Sequence, residues 1–195
     1  RARCDGVEGA AVRHRRRPLA RLLCCAAALV LSLGARAQPA TSYSAGVATE
    51  WFGLALQIVQ QTPGFSPPVA SRALAYLGIA LYESVVPGMP QQQSLPGQLN
   101  ELSSLPLAQP DETLHWPTVA NASLAAMTRM MFPTASAENK VRIDLLERNL
   151  PLRLAADFNP ALVSAEATQR SETFGKLMAM AVFTWARTDG GHEAW

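Results

Sequence analysis

From about residue 44 onward, apolar side chains return every three or four positions, and prolines interrupt the pattern. That spacing is one face of an α-helix, and no stretch alternates as a half-buried strand would. The first segment runs from about Ser44 to Gln61, with Val47, Trp51, Leu54, Ala55, Ile58 and Val59 on its apolar face and Thr62-Pro63-Gly64 closing it. The second opens at Ser66, whose hydroxyl is placed to cap free backbone amides, with Pro67 at the first helical position. Its apolar positions are Val69, Ala73, Leu77, Ala80, Leu81 and Val85, and Pro87-Gly88 stops it. Small residues at Ala73, Gly78 and Ala80 would let a neighbouring helix approach closely.

Residues 87–115 then form a long connection rich in Pro, Gln, Ser and Leu, with room for one short helical turn near Gly97 to Leu102. A structureless stretch of that length is uncommon inside a compact domain, so it is expected to be functional or wrapped over another part of the protein. The third helix is predicted from near Pro117 to Phe132-Pro133. The fourth runs from the cap Ser136 to about Asn149, before Pro151, with Val141, Leu145 and Leu146 on its apolar side. The fifth begins at about Pro160 or Ser164 and runs to Thr188; Phe174, Leu177, Met178, Ala181, Val182 and Trp185 are its apolar residues, and Gly190 its C-terminal cap. The expected class is all-α, a helical bundle.

The chain's start reads differently. Arg13, Arg15, Arg16, Arg17 and Arg21 precede an apolar run from Leu22 to Leu33, followed by Ala35-Arg36-Ala37. A basic region, a short apolar region and an A-x-A site make a secretory signal peptide cleaved after Ala37. The run is shorter than the roughly 20 residues that span a bilayer, which argues against a stable membrane anchor. Residues 1–11 read as translated upstream sequence, with Val12 as a candidate alternative start. The expected destination is the periplasm or the exterior.

Removing residues 1–37 changes what composition implies. Nine basic and thirteen acidic residues remain, a net charge of −4 where the whole chain has +2. No basic patch is left to contact phosphates, which argues against a nucleic-acid partner. Cys4, Cys24 and Cys25 all precede the cleavage site, so the mature part has no disulfide, thiolate ligand or cysteine nucleophile.

Several segments carry a likeness. "EWFGLALQIVQQTPGFSPPVASRALAYLGIALYESVVPGMP", "HWPTVANASLAAMTRMMFP" and "WARTDGGHEAW" resemble the N-terminal half of bacterial vanadium-dependent haloperoxidase-like proteins of the type 2 phosphatidic acid phosphatase superfamily, over roughly Val47 to Trp195. The resemblance implies a helical bundle around a pocket for vanadate or phosphate. In that family a lysine followed by Arg-Pro, a Pro-Ser-Gly-His segment and a late arginine-plus-histidine segment supply the pocket. Cations there neutralise the oxyanion, one histidine is nucleophile or metal ligand, and another serves as acid and base. None of these motifs is placed here. Lys140 and Lys176 lack a following Arg-Pro, and Gly191-His192 is preceded by Asp189-Gly190 where Pro-Ser would stand. No catalytic, cofactor-binding or metal-binding residue is therefore assigned. The resemblance implies an N-terminal fragment of residues 38–195. Its partner would be the C-terminal half of the same domain, vanadate a possible cofactor of the intact protein, and a phosphomonoester, or halide plus peroxide, the substrate. The alternative is a self-contained exported all-α binding module with the 87–115 connection as contact surface.

Other residues invite sharper readings. His192-Glu193-Ala194-Trp195 begins an H-E-x-x-H zinc pattern, but Gly190-Gly191 immediately before it suits the end of a helix, and a surface His-Glu pair is expected. His115, which could contact a ligand, is placed instead in the entry turn of the third helix, where Trp116 packs and Pro117 starts the helix. Glu50 and Glu83 sit in otherwise apolar helices; each either meets a cation such as Arg72 or lies at a helix margin, and the margin is the expected position. Met127, Met130, Met131, Met178 and Met180 are expected to fill core gaps. Asn121-Ala122-Ser123 fits a glycosylation sequon but lies inside a predicted helix and is set aside.

Overall fold

The computed structural model describes residues 38–110, 112–159 and 163–189. The predicted leader, the Gly190 cap and the His192-Glu193 ending lie outside the described residues. Five helices account for the fold: α1 (Gly46–Gln61), α2 (Pro67–Val85), α3 (Trp116–Met131), α4 (Ala137–Arg153) and α5 (Ala165–Ala186). Short 3-10 turns at Ala40–Ser42, Val86–Gly88 and Arg187–Asp189 accompany them, and the described residues contain no strand. The molecule is an all-α bundle, as the periodicity requires.

Helix α3 is the axis of the bundle. It touches the four other helices, and 13 of its 16 residues are buried. A helix covered on every side has no polar face, so each of its polar side chains must find a partner inside. They do. Thr128 Oγ1 donates back to the Leu124 carbonyl (2.6 Å), and Ser123 Oγ donates across to Ala80 O on α2 (3.3 Å). Asn121 accepts from Trp51 Nε1 on α1 (2.8 Å) and donates to Glu147 O on α4 (3.0 Å). That second bond has a local cause. Pro151 lies inside α4, and its missing N–H would otherwise have bonded the carbonyl four residues back, at Glu147. The buried amide of α3 fills the gap.

The closest approach is between α3 and α5. A Cβ built on Gly175 would stand 2.3 Å from Val119 O and 3.1 Å from Ser123 N, so only glycine allows the two backbones to meet there. Gly78, read from sequence as a close-approach residue, has nothing within 4 Å of such a Cβ; the close contacts of α2 run through the buried Ala73 and Ala80 instead.

Three predicted details change. Ser66 precedes α2 but makes no side-chain cap, although Val69 at the third helical position carries an N–H. Ser136 and Ser164 do cap, accepting from Asn139 N (3.2 Å) and Ala167 N (3.1 Å). Helix α4 continues through Pro151 to Arg153 and buries Ile143, Leu146 and Leu150, leaving Val141 and Leu145 exposed. In α5 Phe174, Met178 and Val182 are buried, Ala181 and Trp185 half-buried, and Leu177 and Met180 exposed. Met127, Met131 and Met178 fill the core as expected, and Met130 is half-buried.

The long connection is wrapped over the bundle. Residues 97–102 are a hydrogen-bonded turn, not helix, with Gly97 N bonding Leu102 O (2.8 Å) and Gly97 at φ +78°. Glu83 is not marginal, and among the described residues it is paired to no cation. It is 1% exposed, and its carboxylate accepts from Ser94 Oγ (2.5 Å) and Leu95 N (2.8 Å). Arg72 is exposed. Glu50 keeps to the margin, where it meets Arg153 (2.8 Å).

Candidate functional site

The densest group of chemistry-bearing side chains gathers where α3 begins. His115 is the residue before the helix, 6% exposed, and its backbone N–H donates to Ser171 Oγ on α5 (2.8 Å). Its ring stands edge-on to Tyr43 (5.4 Å between centroids) and to Phe158 (5.6 Å). Nδ1 lies 2.8 Å from Thr118 Oγ1 and Nε2 lies 2.8 Å from the Asp157 carbonyl. Ser44 donates from both its hydroxyl and its backbone N–H to the Asp157 carboxylate. Beside this group opens a cleft of about 640 Å³ between α3, α4 and α5, bordered by His115, Asn121, Glu147, Arg148, Phe158 and Glu172.

A serine, a histidine and an aspartate within bonding reach invite a nucleophilic reading, and the wiring decides against it. A working triad needs the serine hydroxyl on one imidazole nitrogen and the carboxylate on the other. Here the serine bonds the carboxylate directly, and the imidazole reaches only a carbonyl. A carbonyl can only accept, so Nε2 carries the proton. Burial lowers the His115 pKa, with the Asp157 carbonyl and charge opposing more weakly, so the ring is neutral and Nδ1 accepts from Thr118. Both nitrogens are engaged, and neither is left for a metal or a proton transfer. Tyr43 is held un-ionised, its pKa raised by burial and then by the Asp157 charge. The group ties the N-terminal segment, the start of α3 and the turn after α4 together. His115 thus sits in the entry turn, as its neighbours Trp116 and Pro117 suggested.

An oxyanion such as vanadate or phosphate would need cations converging on one point. Arg129 on α3 bonds Asp144 (2.7 Å) and Glu147 (2.5 Å) of α4, and Lys176 lies 3.8 Å from Glu172 within α5. Arg142 and Arg153 both border a groove between α1 and α4, but they hold Gln57 and Glu50 and stand 11 residues apart, about 16 Å along the helix. Arg129, Arg142 and Arg153 tie helices together, Lys176 pairs within its own helix, and these four do not converge on one point. Among the described residues no three His, Cys, Asp or Glu side chains gather as a metal site.

Sequence reasoning missed two polar positions. Asn121 was visible only as a sequon, and both ends of its amide are engaged inside the core, which leaves no room for a glycan. Glu83 was visible only as a carboxylate among apolar neighbours, and its partners lie in a connection with no pattern of its own. No protein-family model, curated protein or solved structure matches this chain.

Proposed function

We propose that this chain is the N-terminal helical scaffold of an exported haloperoxidase-like or acid-phosphatase-like protein, and that residues beyond Trp195 complete its oxyanion pocket. The intact protein would act on phosphomonoesters, or on halide plus peroxide with vanadate bound. What supports the reading, beside the segments that resemble that superfamily, is one surface. Val141, Leu145 and Leu152 stand on one side of α4 at 53%, 43% and 79% exposure. Spacings of four and seven residues put the α4 set in one row. A row of large apolar side chains facing water is the mark of a surface meant to be covered, and further helices of the same bundle would cover it.

The test is the reading frame after the Trp195 codon. The proposal expects it to continue for a comparable length and to encode a lysine with a following Arg-Pro, a Pro-Ser-Gly-His segment and a late histidine. A stop codon directly after Trp195, or a long frame without those motifs, overturns it. The second reading, an exported all-α binding module, is favoured by a different observation: a cavity of about 600 Å³ is walled by the 87–115 connection, the end of α2 and Met178 of α5, and lined mainly by Pro, Met, Leu and Val side chains.

A further inference from the structure

Residues Met89–Leu107 cross the ends of α2 and α5 as a strap, and the way they are fastened is unusual for this molecule. Few of them are buried; Leu102 is the one large apolar side chain of the strap that is fully inside, and Leu107 is 83% exposed. The strap is held instead by four side-chain hydrogen bonds from the helices or to them. Tyr82 Oη donates to Gln93 O (2.7 Å), and Trp185 Nε1 donates to Asn100 O (3.0 Å). The other two converge on the buried Glu83, which receives Ser94 Oγ and Leu95 N. Directly after the Asn100 anchor Glu101 takes φ +60°, a left-handed conformation that a residue with a Cβ adopts at a cost. The strap itself forms most of the wall of the apolar cavity, through Met89, Pro96, Leu105 and Leu107, with Val86 and Met178 on the side of the bundle.

We propose that the strap opens as a local unit, carrying most of this cavity's wall with it, while the helices stay folded, and that the Glu83 carboxylate is its latch. Segments with little apolar burial and a solvent-facing backbone open at lower free energy than the core. Here the polar anchors replace burial, so removing one should free the strap without loosening the bundle. A buried carboxylate facing two neutral donors from the strap is a costly arrangement that exists only while the strap is closed. This inference holds whichever function is correct, because it concerns only residues of α2, α5 and the strap.

Hydrogen exchange followed by mass spectrometry on the purified protein tests it, comparing wild type with Glu83→Gln and Ser94→Ala. The expected result is an increase of about tenfold or more in exchange for peptides covering 89–102, with peptides of α2, α3 and α5 unchanged. Equal acceleration in the helices would overturn the proposal, since the strap would then open only with the whole fold. Unchanged strap exchange would overturn it too. Should Glu83→Gln fail to fold, Ser94→Ala decides alone: Ser94 is exposed, so its hydroxyl can be removed without opening the core.

Discussion

Helix α3 and the strap Met89–Leu107 both pack against α2 and α5, and they are held by opposite means. Helix α3 is held by burial, and its polar groups are closed in pairs so that burial costs little. The strap is held by polar anchors and buries little. A change in α3 should therefore be felt by the whole molecule, whereas a change in the strap should stay local. The largest test of that contrast is Gly175→Ala. Its new methyl meets the α3 backbone, which no side-chain rotation can relieve. Overpacking of this kind costs about 1–3 kcal/mol or more, while alanine's better helix propensity returns only about 1. We expect a net loss of about 2 kcal/mol in urea unfolding, shared by every probe of the fold. Gly78→Ala, where nothing stands within 4 Å, should instead stabilise by about 0.5–1 kcal/mol. Equal effects at the two glycines would mean that the α3–α5 crossing is not tight.

Asn121→Leu sharpens the same contrast from the polar side. It leaves Trp51 Nε1–H and the Glu147 carbonyl without their partner, at about 1 kcal/mol or more for each buried group. The loss should therefore reach about 2 kcal/mol. Because the Glu147 carbonyl is open only on account of Pro151, Pro151→Ala returns an N–H that can fill it. In a Pro151→Ala background the Asn121→Leu loss should shrink by about 1 kcal/mol. Strictly additive losses would show that Asn121 and Pro151 are not linked.

His115 supplies a test by pH. In the unfolded chain a histidine takes up its proton near pH 6.5, whereas burial holds the folded ring below that. The unfolded state therefore binds more protons as pH falls through 6.5, and stability should decline from there until the folded ring also titrates. Thermal unfolding between pH 7.5 and 5.5 should show that decline, and His115→Gln should flatten it. A slope that survives the substitution would assign the effect to another group.

The helices were legible because their apolar spacing is local, and so was the cap at Ser136. Which side of α4 faces inward was not. Val141 and Leu145 compete with Ile143 and Leu150 for the interior, and only the position of α3 decides between them. Glu83 and Asn121 failed for a related reason. Each looks out of place in its own helix, one as a buried charge and the other as a sequon. Their partners are a serine and an amide in an unpatterned loop, and a carbonyl that a proline leaves open on another helix. Polar groups matched across the fold leave no periodic trace, so the candidate site at His115 was legible only as a histidine at a helix entry. Its bonds to Thr118 and Asp157 belong to the tertiary structure.

The smallest expected effect lies at the margin between the two regimes. Glu50 and Arg153 close the α1–α4 groove at 2.8 Å, but their side chains are 32% and 53% exposed. Solvent screens such a pair, and holding the long arginine side chain in place costs entropy, so Arg153→Ala should lose no more than about 0.5 kcal/mol. The loss should vanish at 0.5 M salt, where the Debye length falls to about 4 Å. That is the behaviour of an ion pair in water, and it separates Glu50 from Glu83. A loss comparable to that of Asn121→Leu, insensitive to salt, would instead mean that the groove between α1 and α4 is covered in solution. The exposed row on α4 would then already be buried by whatever covers the groove.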